Sequence, residues 1–130
     1  MPGITGIISR AKTGEEESKL DKMINCMMYE PFYKQGRYID RENGFFIGYV
    51  AIENAFADCM PIFNETKSLV MFLTGETYMD QALIDELNTR HDFDTKNASY
   101  LIHLYEELGD EFFNTLNGWH NGLIIDGKRQ

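Results

Sequence analysis

Apolar residues recur along this chain with two different periods, and the alternation between them divides it into strands and helices. Ile4 to Ser9 is a short apolar run bounded by glycine, and it predicts a buried strand. Thr13-Gly14-Glu15-Glu16 has the spacing of a capping box, with further acid at Glu17 to meet the positive end of a helix dipole. The helix predicted to follow carries Leu20, Met23, Ile24, Met27 and Met28 on one face and Lys19, Asp21 and Lys22 on the other, and it ends before Pro31. Arg37 to Asp40 and Phe45 to Ile52 flank Arg41-Glu42-Asn43-Gly44, whose Asn-Gly pair accepts the positive φ angles of a hairpin turn. Ser68 to Leu73 predicts a buried strand that delivers Thr74, Gly75 and Glu76 to an edge or rim.

Further along, Asp80 is placed to cap a helix bearing Leu83, Ile84 and Leu87. The longest helix is expected from Asn97, carrying Ala98, Leu101, Ile102, Leu104, Tyr105 and Leu108 until Gly109 stops it. Asp110 to Asn117 adds a short, turn-rich helix, and Trp119 to Ile125 is the last strand. Hairpin-linked strands with helices covering them, rather than regular βαβ alternation, favour the α+β class. The final run, Gly122 to Gln130, reads as a strand entering a turn with no partner strand after it, so the sheet is expected to be cut there. An open sheet edge of that kind pairs readily with a second copy, which makes a homodimer an expectation.

Composition narrows the function classes. With 130 residues, 43% hydrophobic and 25% charged, the chain has the size and balance of one domain with a real core, residues 1–130. A net charge of −9, with no basic cluster interleaved with aromatics, disfavours nucleic acid and anionic membrane as partners. There is no signal-peptide pattern and no apolar run near the roughly 20 residues of a membrane span, so a cytoplasmic location is expected. Cys26 and Cys59 form no CxxC and match no zinc spacing, and both are read as buried or semi-buried thiols.

His91, His103 and His120 have no spacing typical of a metal site, and His103 falls in an apolar helix, where a hydrogen-bonded structural role is expected. No metal and no cofactor follow from these residues, and no glycine-rich phosphate loop is present. Glu15-Glu16-Glu17 and Glu106-Glu107 read as solvated helix surface, and Phe112, Phe113 and Trp119 as core. Glu76, after glycine at a strand end, reads equally as a contact to a small polar ligand and as a solvated turn residue.

Several motifs, taken in order, add a specific likeness. Met1-Pro2-Gly3-Ile4-Thr5-Gly6-Ile7 resembles Met-Cys-Gly-Ile-x-Gly-Ile, the opening of class II glutamine amidotransferase domains of the asparagine synthetases. Pro61-Ile62-Phe63-Asn64-Glu65 and Leu73-Thr74-Gly75-Glu76-Thr77-Tyr78 resemble that family's Pro-Met-x-Asn and Asn-Gly-Glu-Ile-Tyr-Asn segments. Leu104-Tyr105-Glu106-Glu107-Leu108-Gly109 and Leu116-Asn117-Gly118-Trp119 resemble its Leu-Tyr-Glu-Glu-x-Gly and Leu-Asn-Gly-Met. The resemblance implies an N-terminal-nucleophile-hydrolase αββα sandwich of two antiparallel sheets. It also implies glutamine, or another small amino acid, as ligand. The family's domain continues past the position of Gln130, and its ATP-binding synthetase domain lies further downstream.

The same resemblance sets Pro2 where the family has its catalytic cysteine. In that mechanism the terminal thiol attacks and its own α-amine is the base, and proline has no thiol. Thr74 replaces the asparagine side chain of the oxyanion hole, while Gly75 could still offer its backbone amide; loss of one such donor typically costs about 10² to 10³ in rate. Gly48-Tyr49-Val50-Ala51-Ile52 aligns with Gly-His-x-Arg-Leu, so Ala51 stands in place of the arginine that clamps the substrate carboxylate and Ile52 closes the run. Tyr29-Glu30-Pro31-Phe32-Tyr33 corresponds to His-Arg-Gly-Pro-Asp, and Asn97 falls where an aspartate receives the substrate amine.

No catalytic residue is therefore expected. Thr74, Gly75, Glu76, Asn97 and Ile52 are the candidate ligand-binding set. The reading favoured is a domain that does not hydrolyse glutamine and serves as a structural, interaction or ligand-sensing module. The alternatives are an active amidohydrolase feeding asparagine synthesis, and a catalyst that uses the secondary amine of Pro2 as a base or iminium former.

Overall fold

The computed structural model describes residues 2–11 and 13–128, and these fall into two units, residues 1–54 and residues 55–130. The last two residues of the final apolar run, positions 129 and 130, lie outside the described residues. The first unit runs β1 (Gly3–Ile8), α1 (Glu16–Met27), β2 (Tyr33–Asp40) and β3 (Phe45–Ile52), with its antiparallel strands in the order β1-β3-β2. Leu20 and Ile24 of α1 pack on Phe46 and Val50 of β3, with Ile7, Met27, Tyr33 and Ile39 around them. Alternate residues of a strand face opposite ways, and Ile47 and Ala51, on the other face of β3, are buried as well.

The capping box forms by half. The Glu16 carboxylate accepts from the Thr13 amide at 3.1 Å and from the Thr13 hydroxyl at 2.8 Å, while that hydroxyl accepts from the Glu15 amide at 3.3 Å. The helix accordingly starts at Glu16 rather than one residue after Thr13. β2 begins four residues before the predicted Arg37, since Tyr33, Lys34, Gln35 and Gly36 also pair with β3. In the hairpin only Gly44, at φ +78°, has a positive φ. Asn43 contributes instead through hydrogen bonds to both Asp40 carboxylate oxygens, at 3.0 and 2.8 Å, which pull that carboxyl below its ordinary value.

The second unit contains β4 (Ile62–Phe63), β5 (Leu69–Thr77), α2 (Gln81–Asn88), α3 (Tyr100–Leu108), a 3-10 turn at Gly109–Glu111, α4 (Phe112–Thr115) and β6 (Gly118–Asp126). Its sheet is antiparallel in the order β4-β5-β6. Every residue from Leu69 to Thr74 is buried. Leu69, Met71 and Leu73 form one core with Ile84, Leu87, Leu101, Ile102, Tyr105 and Phe112. β6 finds its partner in β5, which precedes it in the chain.

Several expectations change here. The strand expected to end at Leu73 continues to Thr77, so that Thr74, Gly75 and Glu76 lie within β5, opposite Asn121, His120 and Trp119 of β6. The longest helix is α1, with 12 residues, and α3 has 9. α3 starts late because the Asn97 side chain accepts the Ser99 amide at 2.9 Å and holds the backbone in a turn. Leu83 is exposed, leaving Ile84 and Leu87 as the buried pair of α2. Phe112 is core, but Phe113 is exposed and Trp119 is 90% exposed. Cys26 is also exposed, whereas Cys59 is half-buried and burial pushes its thiol up to about 11.

No helix among the described residues is long and apolar enough to cross a membrane.

Candidate functional site

In the first unit, Pro2 directly precedes β1 and is half-buried. The β1–β3 ladder ends at the Gly3–Val50 pair, with Pro2 next to Gly3 and Ala51 next to Val50 in the chain. Ala51 is buried, while Ile52 is exposed at the strand's end. Lys34, across from Ala51 on β2, forms an ion pair with Glu53 at 3.3 Å. The two positions that the resemblance reads as nucleophile and carboxylate clamp thus each adjoin a member of the last pair of that ladder.

Thr74, Gly75, Glu76 and Asn97 belong to the second unit. Thr74 is buried in β5. Gly75 has φ +98°, and a Cβ there would lie 2.0 Å from the carbonyl oxygen of Trp119, so neither backbone nor space admits a side chain. Glu76 is exposed, and its carboxylate accepts from the Tyr78 hydroxyl at 3.0 Å, which raises the Tyr78 phenol. Asn97 is engaged at both ends of its amide, donating to Asp94 at 3.1 Å and accepting from Ser99 at 2.9 Å. Its side chain is thereby fixed as a local turn-former.

A second cluster in this unit was not visible from spacing. Ligand-capable atoms of Glu65, His91, His103 and Glu106 all lie within 4.8 Å of one another. The loop after β4 supplies Glu65, the segment after α2 supplies His91, and adjacent turns of α3 supply His103 and Glu106. His91 Nδ1 is 3.0 Å from Glu65 Oε1, and His103 Nδ1 is 3.4 Å from Glu65 Oε2. The two imidazoles stack with centroids 4.6 Å apart, and Phe93 stacks on His103 at 5.4 Å.

His103 is only 3% exposed, and its Nδ1 has no hydrogen-bond partner among the described residues, contrary to the expected satisfied structural histidine. Burial pushes its pKa down, against the opposing pull of Glu65. Burial alone would raise the Glu65 carboxyl, yet its own backbone amide and His91 outweigh that and hold it low.

Glu106 likewise departs from a solvated helix face. Asn64, itself buried, donates to Glu106 Oε1 at 2.9 Å and to Thr66 and Ser68, and accepts from the Leu69 amide at 3.0 Å. Lys128 Nζ stands 3.8 Å from the same Oε1, while Oε2 is buried without a hydrogen-bond partner among the described residues. Glu107 accepts from Arg90 at 2.7 and 2.9 Å and lies 3.2 Å from His91 Nε2, contacts that lower its carboxyl.

The decisive comparison covers the full length: residues 1–130 match the glutamine amidotransferase domain family. The chain belongs to that family. Among characterised proteins, this amidotransferase domain is similar to the glutamine-hydrolysing asparagine synthetase of Zea mays, with 35% identity over 80 residues, covering 61% of the chain and 14% of the maize protein. It is similar to asparagine synthetase B of Escherichia coli, with 31% identity over 81 residues, covering 62% of the chain and 15% of that protein. The match to asparagine synthetase 2 of Bacillus subtilis runs over 99% of the chain at 28% identity and covers 18% of the relative. The amidotransferase domain thus spans less than a fifth of the length of these relatives, and it is asparagine-synthetase-like in sequence and α+β, with two antiparallel sheets, in structure.

Proposed function

We propose that this glutamine amidotransferase domain does not hydrolyse glutamine and acts as a structural, interaction or ligand-sensing module related to the asparagine synthetases. The observation that carries the reading is Pro2, at the place where the family's mechanism needs a thiol and a primary α-amine on one residue. The pyrrolidine ring offers no nucleophilic sulfur, and no neighbouring side chain restores one at that atom.

Other positions support the same reading. Ala51, next to the Val50 that pairs with Gly3, carries no charge for a substrate carboxylate. Asn97 lacks the negative charge that would receive a substrate amine, and its amide is committed to Asp94 and Ser99. Thr74 offers a hydroxyl in place of a longer amide, while Gly75 keeps a positive φ that suits a close backbone approach. The two antiparallel sheets are consistent with the family's αββα sandwich, and the reading places the domain in the cytoplasm with glutamine or a similar small amino acid as its ligand.

A paired experiment on one sample tests this: ammonia release from glutamine, and thermal shift against glutamine, glutamate, asparagine and aspartate. No turnover with a stabilising shift supports a sensor, and no turnover without a shift supports a scaffold or interaction role. Turnover proportional to protein overturns the reading.

A further inference from the structure

We propose that Glu65, His91, His103 and Glu106 form a binding site for one divalent first-row transition-metal ion of the zinc type. Two imidazoles and two carboxylates are a donor set that suits such an ion, and two negative ligands balance its charge. Zinc–ligand bonds of 2.0–2.1 Å in a tetrahedron put neighbouring donor atoms about 3.3 Å apart. Glu65 Oε1 already stands 3.0 Å from His91 Nδ1, and Glu65 Oε2 stands 3.4 Å from His103 Nδ1.

The tautomers carry the argument further. His91 faces a carboxylate from each ring nitrogen, Glu65 at Nδ1 and Glu107 at Nε2. A neutral imidazole has one N–H, so one of these contacts would set a lone pair against a carboxylate oxygen. Protonation of His91 alone would also satisfy both contacts, at the cost of a charged ring 4.6 Å from the buried His103. A single cation between Glu65 and the two Nδ1 atoms resolves it with both rings neutral.

The surroundings are those of an oriented site. Glu107 accepts from His91 Nε2 and so directs Nδ1 inward, the arrangement of carboxylate, histidine and metal found in many such centres. Asn64 holds Glu106 Oε1, and the other oxygen is buried without a hydrogen-bond partner among the described residues, as is His103 Nδ1. All of these residues lie within the second unit, and the inference is independent of the glutamine chemistry.

The test is zinc titration of the metal-stripped full chain by calorimetry, with cobalt(II) as a spectroscopic probe of tetrahedral nitrogen and oxygen coordination. The expected result is one ion per chain, a zinc-dependent rise in melting temperature, and loss of both in Glu65→Gln and His91→Gln. Glu107→Gln, which alters the partner that orients His91 and also the ion pair with Arg90, should weaken binding by about 10- to 100-fold, with Arg90→Gln as the control for the ion pair. Glu65 and His91 are less buried than His103, so these variants should fold, and circular dichroism checks that they do. A folded wild-type chain that binds no stoichiometric zinc overturns the proposal, as does binding that survives Glu65→Gln and His91→Gln or disappears instead with Cys26→Ser.

Discussion

Gly75 sits in a strand at φ +98°, with the carbonyl oxygen of Trp119 2.0 Å from where a Cβ would be. Gly75→Ala should cost at least about 1 to 3 kcal/mol from backbone strain alone, measured as a loss of unfolding free energy in urea. Glu16 gives a pH prediction. Hydrogen bonds led by the Thr13 hydroxyl lower its pKa from 4.5 to about 2, so folding gains stability from the ionised form above pH 4.5. That gain should fade as pH falls from 4.5 through about 2, and the stability difference between the wild type and Glu16→Gln should shrink over the same window. Residue roles were legible where they depend on near neighbours: Asp80 and Thr13 announce themselves by spacing. His103 was not, because its environment is made by Glu65, His91 and Phe93, which come from other segments.

Elements followed the hydrophobic pattern wherever one face is buried against a single neighbour. The Leu20 and Ile24 stripe of α1 and the Phe46 and Val50 face of β3 met as their periods require. The pattern gave less for Leu83 and Trp119, since an apolar residue at the right period still faces solvent when no element covers it. Likewise, α3 begins at Tyr100 rather than Asn97 because a side-chain hydrogen bond competes with the helix. Asp80 accepts from the Ala82 amide at 2.9 Å at the start of α2. Asp80→Ala should therefore lower stability by about 0.5 to 2 kcal/mol. Leu101 is fully buried in α3, and Leu101→Ala should cost about 2 to 5 kcal/mol, both read from denaturant midpoints at unchanged slope.

For the molecule as a whole, family membership rests on a match along residues 1–130, and the residues that the fold's core needs are in place. In the function proposed above, the positions that the family's chemistry would need are the ones that differ, at Pro2, Ala51, Thr74 and Asn97. A scaffold survives such changes because burial and strand pairing do not depend on a thiol or a guanidinium. Pro2→Cys alone should consequently leave glutamine hydrolysis undetected, since Ala51 and Thr74 would still fail to hold the substrate and its oxyanion. The measurement to make is ammonia released from glutamine by the purified full chain, followed across protein concentration against a protein-free control. The expected result is no release above the control at any concentration. Ammonia formation that rises in proportion to the protein would contradict a non-hydrolysing domain and require a nucleophile other than the family's cysteine.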